Sequence, residues 1–188
     1  MRQPVDLAHA CRLINHGPTV LVTSAHGGRR NVMAAAWSMP VEFTPPRVAV
    51  VIDKSTYTRE LVLGSGLFAL NLPCRGMADV AYTAGSTSGR DEDKFARLNL
   101  ASFDGDALGL PLLADCVAWL ECRRIPEPHA EAKYDTFFGE VVAAWADERV
   151  FAHGRWDFRD DNAALHTLHH LGGGHFALPA ATVQGRRL

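Results

Sequence analysis

Apolar positions fall into short blocks along this chain, and their spacing changes from one block to the next. Leu7, Ala10, Cys11 and Ile14 recur at helical intervals, with Asp6 placed to cap the segment and Gly17-Pro18 to end it. Thr19–Ala25 is then rich in β-branched residues, and His26-Gly27-Gly28-Arg29 reads as a hairpin turn. Asn31–Phe43 is the returning strand, with a break expected near Pro40. Thr44-Pro45-Pro46 turns the chain, and Arg47–Ile52 is a continuous apolar strand of the kind buried on both faces.

Tyr57–Leu63 has helical periodicity and stops at Gly64-Ser65-Gly66, after which Leu67–Leu72 is a strand closed by Pro73. Residues 76–84 and 91–98 read as short helices around the polar loop Gly85–Arg90. Leu112–Arg124 and Phe137–Trp145 are the last long strands, connected through Pro126–Lys133. Residues 160–171 read as a helix, and the tail from Pro179 as loose chain. Short, closely spaced strands with peripheral helices and no βαβα alternation argue for an antiparallel barrel rather than a doubly wound sheet. No repeat or linker marks a second unit, so residues 1–188 are expected to form one domain.

Composition narrows the function without naming it. An apolar fraction of 47% with 21% charged residues describes an ordinary globular chain. The formal net charge of -2 offers no global attraction to nucleic acid or to an anionic membrane, so neither is expected as a partner. Any anion site must be local. Cys11, Cys74, Cys116 and Cys122 form no CxxC or finger spacing and read as four reduced thiols. No signal-like segment follows the N-terminus, and no apolar run approaches the ~18 residues that cross a bilayer. A cytoplasmic location is the expectation.

Three segments could carry chemistry, each with a plain structural alternative. Lys54-Ser55-Thr56-Tyr57-Thr58 follows a buried strand and opens a helix, where free N–H groups and a partial positive charge suit a phosphate. The alternative is an ordinary cap, with Ser55 or Thr56 on the helix and Glu60 completing it. In Asn31–Ser38, alternation puts Asn31, Met33, Ala35 and Trp37 on one face, where small side chains leave room for a flat ring. The alternative is a core strand with a half-buried tryptophan. Ser86–Phe95 offers hydroxyls and Lys94 to the same ligand, or else forms a capped surface helix through Asp91–Asp93.

His166, His169 and His170 stand at helical spacing, followed by Gly172-Gly173-Gly174 and His175. They read as a helix face with its C-terminal cap rather than a metal site, because no HExxH pattern accompanies them. No Ser-His-Asp, Cys-His or dicarboxylate set stands out, so no catalytic side chain is assigned. An enzyme of this kind would take its chemistry from a cofactor.

In order, the segments PTVLVT, NVMAAAWSMPVEFTPPRVAVVIDKSTYT, LFALNLP, SGRDEDKF, LECR, FFGEVV and LHHLGGGHF resemble the flavin reductase-like, FMN-binding split-barrel family from about Pro18 to Phe176. The resemblance implies a mainly β fold, a six-stranded antiparallel split β-barrel of Greek-key type with peripheral helices. It implies a homodimer with flavin sites near the interface, and FMN bound non-covalently. By position, Asn31, Met33, Ala35, Ala36 and Trp37 would line the flavin ring. Asp53, Lys54, Ser55, Thr56 and Thr58 would hold its ribityl and phosphate groups, and Asn71 and Lys94 would complete the pocket. Relatives carry histidine at the position of Tyr134, near the flavin, and arginine or a similar residue at that of His175. The implied activity is an NAD(P)H:flavin reductase passing hydride from nicotinamide to bound flavin, with a partner monooxygenase or another acceptor downstream. A flavin carrier without NAD(P)H activity is the alternative, and a histidine-dependent metalloprotein the third.

Overall fold

In the computed structural model, which describes residues 1–187, the apolar blocks become one antiparallel sheet. Its strands are β1 (Arg2–Pro4), β2 (Val20–His26), β3 (Arg29–Ala35), β4 (Ser38–Phe43), β5 (Pro46–Val51) and β6 (Leu67–Leu72), then β9 (Ala118–Ile125) and β10 (Thr136–Asp147) after a side hairpin of β7 (Ser102–Asp104) and β8 (Pro111–Leu113). The spatial order is β3-β2-β6-β9-β10-β5-β4, with β1 also on β10. In register, Val22 faces Met33 and Leu70, Leu70 faces Leu120, and Phe137 faces Val50. β2 and β5 are far apart in this order, yet Val20, Val22, Val48 and Val50 share one buried cluster with Phe68, Leu120 and Phe137. The sheet therefore wraps around its core, while β3 and β4 end it without pairing. That gap is the split of a split barrel.

The expected fold class stands, with the strand count corrected from six to eight. β1 adds one strand along β10, and the segment 31–43 is two strands, parted at Ala36-Trp37 instead of Pro40. At the break the Trp37 carbonyl accepts from Val51 N at 3.0 Å, which sends the chain across to β5. Pro40 is tolerated inside β4 because that strand lies at the sheet edge, and a register shift falls between Pro40 and Glu42.

Helices fill the periphery. α1 (Leu7–Ala10) is a single turn, with the Asp6 carboxylate accepting from Ala8 N at 2.9 Å, and it tightens into a 3-10 turn at Cys11–Leu13. α2 (Tyr57–Ser65) ends on Gly66, whose φ of 71° is the left-handed cap. α3 (Ala78–Ser86) is followed by α4 (Lys94–Arg97), much shorter than the expected 91–98 and capped by Asp93. The Pro126–Lys133 connection contains α5 (Pro128–Tyr134), and Leu112–Arg124 is divided between β8 and β9. None of the helices is long and apolar enough to cross a membrane among the described residues.

The C-terminal region departs most from expectation. Two small hairpins lie there, β11 (Phe151–Ala152) with β12 (Arg155–Trp156), and β13 (His169–Gly172) with β14 (His175–Ala177). The helix expected over 160–171 stops as a 3-10 turn at Asp160–Leu165. Gly172, Gly173 and Gly174, with φ of 101°, 57° and 80°, form the β13–β14 turn, so His169, His170 and His175 belong to strands while His166 ends the 3-10 turn, and no capped helix face joins them.

Glu121 on β9 is fully buried, and its carboxylate accepts from Ala107 N at 2.9 Å, Leu108 N at 2.9 Å and Leu110 N at 3.5 Å. That pins the loop between β7 and β8. The four cysteines are free, with Cys11, Cys116 and Cys122 buried and Cys74 half-buried, and burial raises every one of these thiols above its ordinary value.

Candidate functional site

A cavity of about 600 Å³ opens where the end of β3 meets α3 and the β13–β14 hairpin. Met33, Ala34, Ala35, Ala36 and Trp37 form one wall, because the chain leaves the sheet at Ala36-Trp37 and exposes consecutive residues. Ala81, Tyr82, Gly85 and Ser86 of α3 form the second wall, and His170, Gly173, Gly174 and Phe176 the third. Small residues bring these walls together: a Cβ on Gly85 would lie 3.2 Å from the Ala34 methyl, and one on Gly174 would lie 3.1 Å from the Tyr82 ring. Val51 and Asp53 close the end that leads toward α2.

The sequence-predicted residues divide into three groups. Met33, Ala35, Ala36, Trp37 and Asp53 line the cavity. Lys54, Ser55 and Thr56 lie just beyond, in the turn that opens α2. Here the cap reading is realised: Thr56 Oγ1 accepts from Arg59 N at 3.4 Å and donates to the Asp53 carbonyl at 2.8 Å. Ser55 donates through N and Oγ to one Asp53 carboxylate oxygen at 2.7 and 2.6 Å, and these bonds hold that carboxyl below its usual range. Glu60 does not complete the cap, since its carboxylate pairs with Arg90. Lys54 reaches toward Asp135 at 3.8 Å with its side chain mostly in solvent.

Asn31, Thr58, Asn71 and Lys94 form the third group, and they are struts behind the walls rather than lining. Asn31 Nδ2 donates to Thr58 Oγ1 at 2.9 Å, tying β3 to α2. Asn71 donates to the Leu21 carbonyl and Thr23 Oγ1 and accepts from Leu113 N, so its amide is spent inside the sheet. Lys94 Nζ donates to the Val32 carbonyl at 3.1 Å and the Ala84 carbonyl at 2.8 Å, joining β3 to α3. Burial lowers its amine below the ordinary lysine value.

Several site residues escaped the sequence reading. Arg90 donates to the Ser55 carbonyl at 2.6 Å and grips Glu60, fixing the α2 turn from outside. Arg59 bonds the Ile52 carbonyl, the Glu131 carbonyl and Asp135, fixing it from inside. The glycine triplet beside His170 and Phe176 was visible as a signal for close backbone approach, but the helical spacing of the histidines masked it. Tyr134 is exposed with its ring 5.8 Å from His129, and neither Tyr134 nor His175 lines the cavity.

Chemically, the cavity can hold a flat, mostly apolar group between small residues and aromatics, and its Asp53 end leads to a helix N-terminus. Comparison with known proteins points the same way. The YddH protein of Escherichia coli (strain K12), itself uncharacterized, is 56% identical over 176 residues, 92% of each chain. The structure of an FMN-binding domain of a flavin reductases-like enzyme from Shewanella baltica OS155 is 41% identical, with a TM-score of 0.96 over 99% of this chain and 98% of that one. Flavoredoxin of Desulfovibrio vulgaris (Miyazaki F) is 25% identical, with a TM-score of 0.78 over 90% of both chains. Residues 12–165 match the family described as the flavin reductase like domain, and the chain belongs to that family.

Proposed function

We propose that the chain binds FMN non-covalently in this cavity and acts as an NAD(P)H-dependent flavin oxidoreductase. The observation that carries the reading is the cavity's continuity: a wall of small residues from Met33 to Ala36 at one end, and Asp53 leading into the capped α2 turn at the other. The flavin ring fits against Met33–Trp37, and the phosphate fits at the α2 N-terminus beside Lys54. Bound flavin supplies hydride chemistry, accepting two electrons from a reduced nicotinamide and passing them on. The protein's own residues bind, orient and shield. Ala34–Ala36 admit the ring to the backbone, Tyr82 and Phe176 cover it, and Arg90 and Thr56 keep the phosphate turn in shape. Four free thiols suit a reducing compartment such as the cytoplasm.

Purified protein is expected to carry or take up FMN, with a flavin absorbance band that bleaches on anaerobic titration with NADH or NADPH. No flavin uptake would sink the proposal. Uptake without bleaching would instead favour an electron carrier. The antiparallel sheet supports that second reading, because it contains no βαβ unit of the kind that binds nicotinamide dinucleotides.

We further propose a homodimer. Trp37 just before β4 and Met39, Val41 and Phe43 along it are 74%, 57%, 42% and 71% exposed. An apolar row on an edge strand is a surface that proteins cover. Its first member also lines the cavity. Met39→Glu with Phe43→Glu is expected to convert a dimer to a monomer by light scattering and to weaken FMN retention. A monomeric wild type at tens of micromolar would refute the dimer.

A further inference from the structure

The hairpin that walls the cavity is fastened at its root by a chain of side chains that the flavin reading leaves unused. Thr167 is fully buried, and its Oγ1 lies 3.1 Å from His16 Nε2 and 3.2 Å from His169 Nε2. A hydroxyl has one proton, so it donates to one imidazole and accepts from the other. His16 Nδ1 is buried with no partner, and a stranded N–H is worse tolerated than a stranded lone pair, so His16 carries its proton on Nε2 and is the donor. The Thr167 proton is then left for His169 Nε2. The chain runs in one direction: His16 Nε2–H donates to Thr167, and the Thr167 hydroxyl donates to His169.

Further bonds complete the seam. Thr19 N donates to the Leu168 carbonyl at 2.7 Å, and His170 N donates to Thr19 Oγ1 at 3.1 Å. Residues 16–19 are thus sewn to residues 167–170. Beyond that root, the hairpin carries His170, Gly173, Gly174 and Phe176 into the cavity. We propose that His16, Thr167 and His169 form a latch that positions this wall and closes only while both imidazoles are neutral.

The surroundings make the proton count decisive. His16 packs against Trp156 at 5.2 Å, Phe158 at 5.8 Å and His169 at 5.2 Å, and its Nδ1 is buried with no partner. A proton added there would have no acceptor. A proton added to His169 Nε2 would face the Thr167 O–H, and two imidazolium rings would stand side by side. Among the described residues, no carboxylate forms an ion pair with either ring. The charge that acts on His16 is His169, which lowers it further. His166 packs edge-on to Phe158 at 5.1 Å with its own partners at Arg159, Asn162 and Pro179, Asp157 is paired with Arg159, and the Arg12 carbonyl accepts from the Trp156 indole. Cys74, bridged through its backbone to Thr167, has its thiol pushed up by burial. Burial pulls His16 down to about 4, and His169 is lowered as well.

The open hairpin, with ordinary imidazoles near 6.5, binds more protons than the closed one between pH 6.5 and about 4. The contribution of the neutral rings to closure is therefore fully present above pH 6.5 and is lost as the pH falls toward 4. The shift of His16 alone multiplies the opening equilibrium about thirtyfold between pH 7.5 and 5.

Hydrogen exchange of residues 169–177 in the full chain, corrected for intrinsic rates, tests the latch with and without FMN. Opening should rise about thirtyfold from pH 7.5 to 5 in the wild type. Thr167→Val should leave the hairpin open at both values, and Thr167→Ser should restore the wild-type profile. The dissociation constant for FMN should follow the same steps, and the comparison with Thr167→Val cancels the ligand's own titration. Unchanged protection from pH 7.5 to 5, or a Thr167→Val protein that keeps the acid response, overturns the latch. The flavin half rests on the reading of the cavity above, the hairpin half does not. Exchange that follows these steps with no FMN binding at any pH would support the latch and refute the flavin site.

Discussion

Replacing fully buried Glu121 by alanine is expected to lower the stability of the fold by about 4 kcal/mol, because three backbone N–H groups, that of buried Leu110 among them, lose a charged acceptor at once. The carboxylate lies inside the protein among the residues of the 105–110 loop, and nothing else is placed to take its bonds to Ala107, Leu108 and Leu110. The fit is close. A side chain on Gly105 would overlap the carboxylate, so the loop packs directly against it and loses that contact in the variant. Glu121→Gln keeps one acceptor but turns an amide N–H₂ toward donors, and should fall between the two. Urea unfolding is the measurement, read as a lower midpoint at unchanged slope. A loss under 1 kcal/mol for the alanine variant would mean that water replaces the carboxylate.

Gly89→Ala is the second large effect, and it falls on the site. Gly89 is buried against the Asn31 amide, and an added methyl would overlap it. Asn31 cannot move aside without releasing Thr58 Oγ1, and with it the tie between β3 and α2. The next residue, Arg90, holds the Ser55 carbonyl, so a displaced loop disturbs the turn proposed for the phosphate. Overpacking of this kind costs about 2 kcal/mol of stability. FMN affinity should fall by more than tenfold, measured by flavin fluorescence. Adding Asn31→Ala to Gly89→Ala should recover part of both, a coupling that distant sites would not show. Unchanged flavin affinity in Gly89→Ala would detach this strut from ligand binding.

Legibility in the sequence followed how local each determinant was. β2, β6 and α2 were readable, because apolar spacing and punctuating glycines or prolines set them within a few residues. The break at Ala36-Trp37 was not, because its cause is the distant Val51 N–H, while Pro40 offered a misleading local signal. The histidines near the C-terminus failed for a related reason. Their spacing fits a helix and a strand hairpin equally, and only the seam against residues 16–19 decides between them.

For the site, Met33, Ala35, Ala36, Trp37 and Asp53, the residues expected around a flavin, line one cavity. Asn31, Thr58, Asn71 and Lys94, expected beside the same ligand, use their polar atoms in this structure to brace the elements around the cavity. A motif marks which residues a site requires. It does not separate those that touch a ligand from those that hold the walls apart.

The burial of the cysteines has a consequence for life in air. Reduced flavin exposed to oxygen yields peroxide, and a thiol is oxidised through its thiolate. Cys11, Cys74, Cys116 and Cys122 are all held toward the protonated form by their surroundings. Under the proposed flavin chemistry, these protonated thiols would resist the peroxide formed beside them.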